Sequence, residues 1–365
     1  MEKIIKNFDF TEILLAYGFI REECSLSEFK RGHINDSFIL EIQNRCRFFL
    51  QRINHDVFKD PEILMDNLMK VDETMMNHYG SRDMIPYPSV QKNRNKKFFH
   101  LDQNGNFWRL MEYIPDSHSY NIAESADIAR AGAAAFGEFQ RIMIQAEAAT
   151  FTPTIPGFHH LGKRMQQLQE AISKDTSQRV EHAKDEIAFA LGRAGYAEEL
   201  EGLLRNKIVP LRVTHNDTKL NNVLFDDKTG KYICVVDLDT VMPGTVLYDY
   251  GDMVRTFTSP VEEDEPDPGQ VVFREEIFRA LTEGYLSELK GSLTKGEIDN
   301  LLFGAKVMLL MIGVRFLVDF LEGDHYFKTE RDNHNLDRCR NQFVLLDQLE
   351  KKESGLQAII RSCAE

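Results

Sequence analysis

His215, Asp217, Asn222 and Asp237 follow one another with a spacing that can serve phosphoryl transfer. An aspartate stands two residues after a histidine, an asparagine five residues on, and a second aspartate beyond a short hairpin. A carboxylate at Asp217 can orient an acceptor hydroxyl and take its proton. An asparagine oxygen at Asn222 and a carboxylate at Asp237 suit Mg²⁺, a hard cation that takes one or two protein oxygens plus phosphates. A third aspartate, Asp239, follows two residues later. Each residue alone also serves as a turn residue or strand-end cap; the chemical reading rests on the combination.

These residues need elements to hold them. Within 211–236 two short apolar runs bracket Asp226-Asp227-Lys228-Thr229-Gly230, a turn signal. The set therefore lies on a loop, a hairpin and the loop after it. Upstream, residues 8–18 have helical spacing and end at Gly18, and strands are expected over Leu26–Lys30, Ser37–Ile42 and Arg47–Ile53. Asp60-Pro61 starts a helix whose apolar face carries Ile63, Leu64, Leu68, Val71 and Met75. Residues 97–113 read as a hairpin about Asn104-Gly105. After Ile114-Pro115 the chain becomes helical, over 122–147, 159–206 and 270–352, and residues 259–269 read as a solvated acidic connecting loop.

The composition sets limits. Hydrophobic content of 42% and charged content of 28% describe an ordinary globular chain. The net charge of −14 comes with no basic stripe, so no nucleic-acid partner is expected. The five cysteines are scattered without a CxxC pair, which suits a reduced protein and not a zinc site. No signal peptide is read at the N-terminus, and no segment is read as apolar for long enough to span a bilayer, Arg315 interrupting Val307–Val318. A cytoplasmic location is expected, with no membrane and no obligate protein partner.

The pattern His215-x-Asp217-x-x-x-x-Asn222 followed by Asp237 resembles the aminoglycoside phosphotransferase/choline kinase family. Residues 211–222, Asp237 to Gly244, Gly32-His33-Ile34-Asn35 and Arg315 to Asp324 together are similar to the bacterial N-acetylhexosamine 1-kinases within it. The likeness implies an α+β, bilobal protein-kinase-like fold. A small antiparallel-sheet N-lobe would span 1–114 and bind nucleotide; a larger, mainly helical C-lobe would span 115–365 and carry catalysis and sugar binding. It implies ATP and Mg²⁺ as cofactors and an N-acetylhexosamine as the small-molecule partner, phosphorylated on its anomeric C1 hydroxyl.

The resemblance also assigns residues. Asp217 is then the base and touches the sugar, Asn222 and Asp237 hold the metal, and His215 fixes the loop. Gly32 turns over the phosphates, and His33 and Asn35 reach the sugar; as a bare motif this stretch is an ordinary β-turn. Met111, Glu112 and Ile114 would form the hinge that meets the adenine, although a plain strand leading into a linker predicts the same residues. Arg315 lies in an otherwise apolar helix, where an unpaired charge is costly. Its spacing fits an i,i+4 pair with Asp319; the resemblance instead directs it to the sugar, with Asp319 orienting it. Tyr326 and Phe327 are expected in the core. One departure concerns the third strand, where Gln51 or Arg52 replaces the usual phosphate-binding lysine. Arg52 is a candidate cation and equally a solvent-facing strand residue, with Glu62 as its helix partner. Two alternatives remain: a phosphotransferase of this fold acting on another small alcohol (choline, homoserine, an aminoglycoside or a different sugar), and a non-catalytic nucleotide-binding protein.

Overall fold

The computed structural model describes residues 8–29, 34–43 and 46–365. The chain divides into two compact units. One comprises the described residues up to Ser117 with Thr152–Pro156, the other His118–Phe151 with Gly157–Glu365.

The first unit is built on antiparallel strands. Helix α1 (Phe10–Tyr17) starts at Asp9, whose carboxylate accepts from the Thr11 amide at 3.0 Å, and stops at Gly18 in the left-handed region, φ +93°. Strands β1 (Cys24–Glu28), β2 (Asp36–Ile42) and β3 (Cys46–Ile53) precede helix α2 (Pro61–Tyr79). Strands β4 (His100–Leu101) and β5 (Phe107–Glu112) follow, with β6 (Ser117–His118) after them. The sheet order is β1-β2-β3-β5-β4. Phe10, Ile13 and Leu14 from α1 pack on Phe38, Leu40, Leu50, Trp108 and Leu110, the apolar face of the sheet. The β4–β5 hairpin turns at Gly105, φ +81°, as its sequence predicts. Asp102 anchors it, accepting from the amides of Asn104 and Asn106 and from the Trp108 indole, each at 2.9 Å. Asp60 caps α2 through the amides of Glu62 and Ile63. Leu64, Leu68, Val71 and Met75 are buried along it, and Glu62 is exposed.

The second unit is mainly helical. Helices α3 (Ala126–Met143), α4 (Leu161–Lys174), α5 (Lys184–Leu191) and α6 (Gly195–Arg205) come first. Short strands β7 (Arg212–Thr214), β8 (Val223–Asp226), β9 (Tyr232–Val235) and β10 (Met242–Gly244) come next. Helices α7 (Val246–Phe257), α8 (Glu275–Glu288), α9 (Lys295–Glu322), α10 (His334–Lys351) and α11 (Glu353–Ala364) complete it. At the crossing of α7 and α9, Gly251 and Gly304 let the backbones meet. A Cβ on Gly251 would stand 2.5 Å from the Gly304 carbonyl oxygen.

The sequence reading that no segment is apolar enough to cross a bilayer is corrected by α9. By length and composition this helix qualifies, but 94% of its apolar window is buried inside the protein. It packs against α4, α7, α10 and α11, so its apolar surface faces protein on all sides. The acidic loop also departs from expectation. Ser259 is buried, Glu263 pairs with Arg255, and Asp264 Oδ2 lies 2.9 Å from His334 Nε2, so the segment is held rather than simply solvated.

Candidate functional site

Strand β7 pairs antiparallel with β10, setting Thr214 opposite Met242, and delivers the chain to His215. The next turn requires Asn216 at φ +64°, a conformation asparagine tolerates. Its side-chain amide donates to the carbonyls of Thr214 and Thr240, both at 3.0 Å. Asp249 on α7 accepts from the amides of His215 at 2.9 Å and Asn216 at 2.7 Å. Thr218 Oγ1 donates to the Asp249 carbonyl at 2.6 Å. The loop is thus clamped from one side by a buried carboxylate. Burial pushes that carboxyl up to about 7, against the pull of the two amides.

His215 clamps it from the other side. Nε2 lies 3.1 Å from the Val236 carbonyl, which only accepts, so Nε2 carries the proton. Nδ1 is then the acceptor for the Asp217 amide at 3.2 Å. Burial lowers the pKa of this ring, with Asp217 pulling the other way. One neutral imidazole therefore ties Asp217 to the residue preceding Asp237.

Asp217 is half-buried. Asn222 Nδ2 donates to its carbonyl at 2.9 Å and to Oδ2 at 3.1 Å, and Lys219 Nζ is 3.1 Å from Oδ1. Burial would raise the Asp217 pKa, but Lys219 and His215 outweigh it and hold the carboxyl below its ordinary value. The Asn222 carbonyl accepts from the Val236 amide at 2.8 Å, so the chain bearing Asp237 lies directly beside Asn222. Asp237 is exposed, in the left-handed region at φ +60°, and Asp239 is buried. The β8–β9 hairpin makes this approach possible. Its turn is held by Asp226, which accepts from the Thr229 amide at 2.7 Å.

The donor set fits Mg²⁺. The Asn222 amide nitrogen is committed to Asp217, which leaves its oxygen for a cation, and Asp237 presents a carboxylate next door. Among the described residues no group of three or more His, Cys, Asp or Glu could hold a metal. Such a site suits an ion that relies on phosphates and water for most of its ligands.

Arg315 of α9 lies near the same loop through a chain of contacts. Its guanidinium sits 5.2 Å from the Phe158 ring centroid, 5.9 Å from Tyr326 and 5.5 Å from Phe327. The neighbouring His159 ring bonds the Asn216 carbonyl at 2.9 Å. The Arg315–Asp319 pair that the i,i+4 spacing allows does not form. Asp319 instead accepts from the amides of His325, Tyr326 and Phe327 at 2.9, 2.8 and 2.9 Å, and so shapes the segment that carries two of the rings. Tyr326 is 62% exposed and Phe327 half-buried, so neither is the core residue expected.

The remaining candidates lie in the first unit. Gly32 and His33 fall outside the described residues. Asn35 Oδ1 accepts from the Asn54 amide at 2.9 Å, joining the start of β2 to the end of β3. Arg52 Nε donates to Asp36 Oδ2 at 2.6 Å, so this cation is engaged by a carboxylate, and its partner is Asp36 and not Glu62. Next to it on the same strand, Gln51 stands opposite Arg109 in register, and its Oε1 accepts from Arg109 at 3.0 and 2.6 Å; Arg109 is 2% exposed. Met111 is half-buried on β5. The Glu112 amide donates to Ser89 at 2.9 Å, and the Ile114 carbonyl accepts from Ser117 at 2.8 Å.

Sequence reading missed Lys219, His159, Asp249, Asp252 and Arg255. Lys219 was visible two residues after Asp217. Asp249 and Asp252 showed as two acids within an otherwise largely apolar helix, where a carboxylate needs a partner. Asp252 Oδ1 is 2.9 Å from Arg255 Nε, and Arg255 also pairs with Glu263.

The sequence pattern of the phosphotransferase enzyme family matches residues 25–286. Several solved structures are similar to the chain. An aminoglycoside phosphotransferase from Alicyclobacillus acidocaldarius is 9% identical, with a TM-score of 0.63 and 96% of each chain covered. A spectinomycin phosphotransferase bound to ADP and spectinomycin is 13% identical, with a TM-score of 0.60, over 94% of this chain and 98% of that one. Choline kinase from Cryptosporidium parvum is 16% identical, with a TM-score of 0.59 and 93% of each chain covered. At these identities the likeness speaks to fold, and it establishes the protein-kinase-like architecture of mixed helix and antiparallel sheet. With the family pattern spanning most of its length, the chain belongs to the phosphotransferase enzyme family.

Proposed function

We propose that the protein transfers the γ-phosphoryl group of ATP to the anomeric C1 hydroxyl of an N-acetylhexosamine, N-acetylglucosamine or N-acetylgalactosamine, in the cytoplasm. The observation that carries the phosphoryl-transfer part is the contact between Asp217, Lys219 and Asn222, with the chain of Asp237 hydrogen-bonded alongside. In this reading the acceptor oxygen forms its bond to phosphorus as the bond to the ADP oxygen breaks, and Asp217 takes the acceptor's proton. Its lowered pKa keeps it ionised and ready at neutral pH. Lys219, 3.1 Å from the base, places a positive charge where the transferring group must pass. Asn222 and Asp237 would hold Mg²⁺, which neutralises the phosphates when bound.

The sugar part is supported by Arg315. This cation lies near three aromatic rings and, among the described residues, makes no salt bridge to a carboxylate, so its donors suit neutral oxygens such as hydroxyls or an acetamido carbonyl. The test is ATP consumption by purified protein over N-acetylhexosamines, hexoses, choline, ethanolamine and aminoglycosides, with product position read by ³¹P NMR. Phosphate at C1 of an N-acetylhexosamine is expected. Turnover confined to another alcohol refutes the sugar assignment, and phosphate at C6 refutes the anomeric one. No turnover on any acceptor, with nucleotide still bound, would favour a non-catalytic role.

A further inference from the structure

Two guanidiniums meet at Phe158. That of Arg315 lies 5.2 Å from the ring centroid, and Arg164, in the opening turn of α4, donates from Nη2 to the Phe158 carbonyl at 3.2 Å. Arg164 Nη1 donates to the exposed Gln167 at 2.9 Å. Among the described residues the partners of both arginines are rings, a carbonyl and an amide, and no carboxylate pairs with either. Burial and then the Arg315 charge push the Arg164 pKa down to about 10, which leaves it charged at neutral pH. Burial lowers Arg315 too, with Tyr326 pulling the other way. The charge of Glu263 reaches Arg315, but that carboxylate is already paired with Arg255. The opening turn of α4 holds Lys163 and Arg164 and no acid, although a helix dipole favours negative charge there. Like charges thus share one neighbourhood without a counter-charge, which is costly away from bulk water. Both arginines are nevertheless reachable, each half-buried, with the exposed Tyr326 beside Arg315.

One guanidinium by itself suits neutral oxygens. Two without a counter-charge suit an anion, whose oxygens match the planar forks of donors. We infer that Arg164 and Arg315 together form a subsite for an oxyanion, a carboxylate, sulfate or phosphate group, near Asp217. Phe158 and its neighbour fix that location: the His159 ring bonds the Asn216 carbonyl at 2.9 Å, and Asn216 directly precedes Asp217. The oxyanion is a free ion that competes with the phosphoryl acceptor, or a group that the acceptor carries away from its reacting hydroxyl. The inference rests on the proposed function only in taking this side of Asp217 as the acceptor's.

Sulfate is the probe, because phosphate also suits the nucleotide end. The full-length protein, saturated with MgADP, is titrated with sodium sulfate in a calorimeter, against sodium chloride at equal ionic strength. The wild type should bind sulfate. Arg164→Gln, which can keep a donor for the Phe158 carbonyl, should bind it about 10- to 100-fold more weakly, and Arg164→Lys, which keeps the charge, should lose less. Sulfate binding to the wild type no tighter than chloride overturns the inference, and that result needs no variant to fold. Equal sulfate affinity in wild type and a folded Arg164→Gln overturns it as well, since an arginine that only braces Phe158 gives that pattern. A second titration, with N-acetylglucosamine and its 3-, 4- and 6-sulfates, finds the source. A sulfated sugar that binds more tightly than its parent to the wild type, but not to Arg164→Gln, places the anion on the acceptor; displacement of sulfate by the neutral sugar makes it a free competing ion. The readout is binding, so turnover confined to another alcohol would refute the proposed sugar and leave this inference standing.

Discussion

Replacing His215 with leucine removes the two hydrogen bonds that tie Asp217, the proposed base, to the neighbourhood of the candidate metal ligand. In the native loop the Asp217 amide donates to Nδ1 at 3.2 Å, and Nε2 donates to the Val236 carbonyl at 3.1 Å. Leucine roughly preserves the packing against Phe136 and Phe139, whose rings lie 5.3 and 5.7 Å from the imidazole. The main-chain anchors to Asp249 also survive, because they use the amides of residues 215 and 216. What remains is a donor and an acceptor left without partners. Each such group costs about 1–3 kcal/mol when buried. Both sites here are half-buried, so a total of about 2–4 kcal/mol is expected. Urea unfolding monitored by circular dichroism reads this as a lower midpoint at constant m. His215→Gln, whose amide can still reach Val236, should lose about half as much. Turnover should fall about 100-fold in His215→Leu, since the base and the chain of Asp237 lose their common tie. A leucine variant within about 0.5 kcal/mol of wild type, or with unchanged kcat, would refute the reasoning.

Other perturbations follow from the same contacts. Asp217→Asn should abolish turnover while the folded protein still binds nucleotide by calorimetry; retained turnover removes Asp217 as the base. Acid should destabilise the fold through His159: the unfolded ring binds a proton below about 6.5 and the folded ring only near about 3. That contribution is whole above pH 6.5 and amounts to about 2 kcal/mol lost by pH 5. Asp249, pushed up to about 7, works in the opposite sense as pH rises from the carboxylate range, so the difference between wild-type and His159→Gln unfolding curves isolates the histidine. Parallel curves from pH 7.5 to 5 would dismiss this account. Glu297→Ala strips the partner from Arg212, held at 2.5 and 2.8 Å, and breaks the capping box with Thr294 at the start of α9; Glu297 is 0% exposed. A loss of about 3–5 kcal/mol is expected, smaller once Arg212 is also removed, and a double mutant no better than the single contradicts the pairing. Gly251→Ala drives a methyl to 2.5 Å from the Gly304 carbonyl, and should cost about 1–3 kcal/mol and lower kcat through α7. Unchanged thermal unfolding would mean the helices separate freely.

Local devices were legible along the chain because a few neighbouring residues determine them. Asp60-Pro61 starts α2, Asn104-Gly105 turns its hairpin, and Asp226 to Gly230 turn theirs. Asp217 and Asn222 were legible for the same reason, since they lie within six residues, whereas Lys219 between them was passed over. Partnerships over longer spans were not. Asp319 has the spacing to pair with Arg315, but the unprotected amides of residues 325–327 claim it. Arg52 suits a phosphate by type, yet Asp36 stands opposite it across two strands. The acidic loop reads as solvated until Arg255 and His334 meet its carboxylates.

The amino-acid sequence by itself determined the residues on offer: a candidate base, two candidate oxygen ligands and a hairpin between them. Those depend on residue type and short spacing, which backbone geometry converts directly into contact. Only the tertiary structure decided which charges remain available for a ligand. Arg52 and Asp319 are engaged by groups outside their immediate turns, and Arg315 is left facing aromatic rings. The buried Asp249 and His159 serve the loop from residues 33 and 57 positions away. Burial makes an unpartnered polar atom costly, so packing assigns partners by proximity in space, and that proximity is not written in the spacing along the chain.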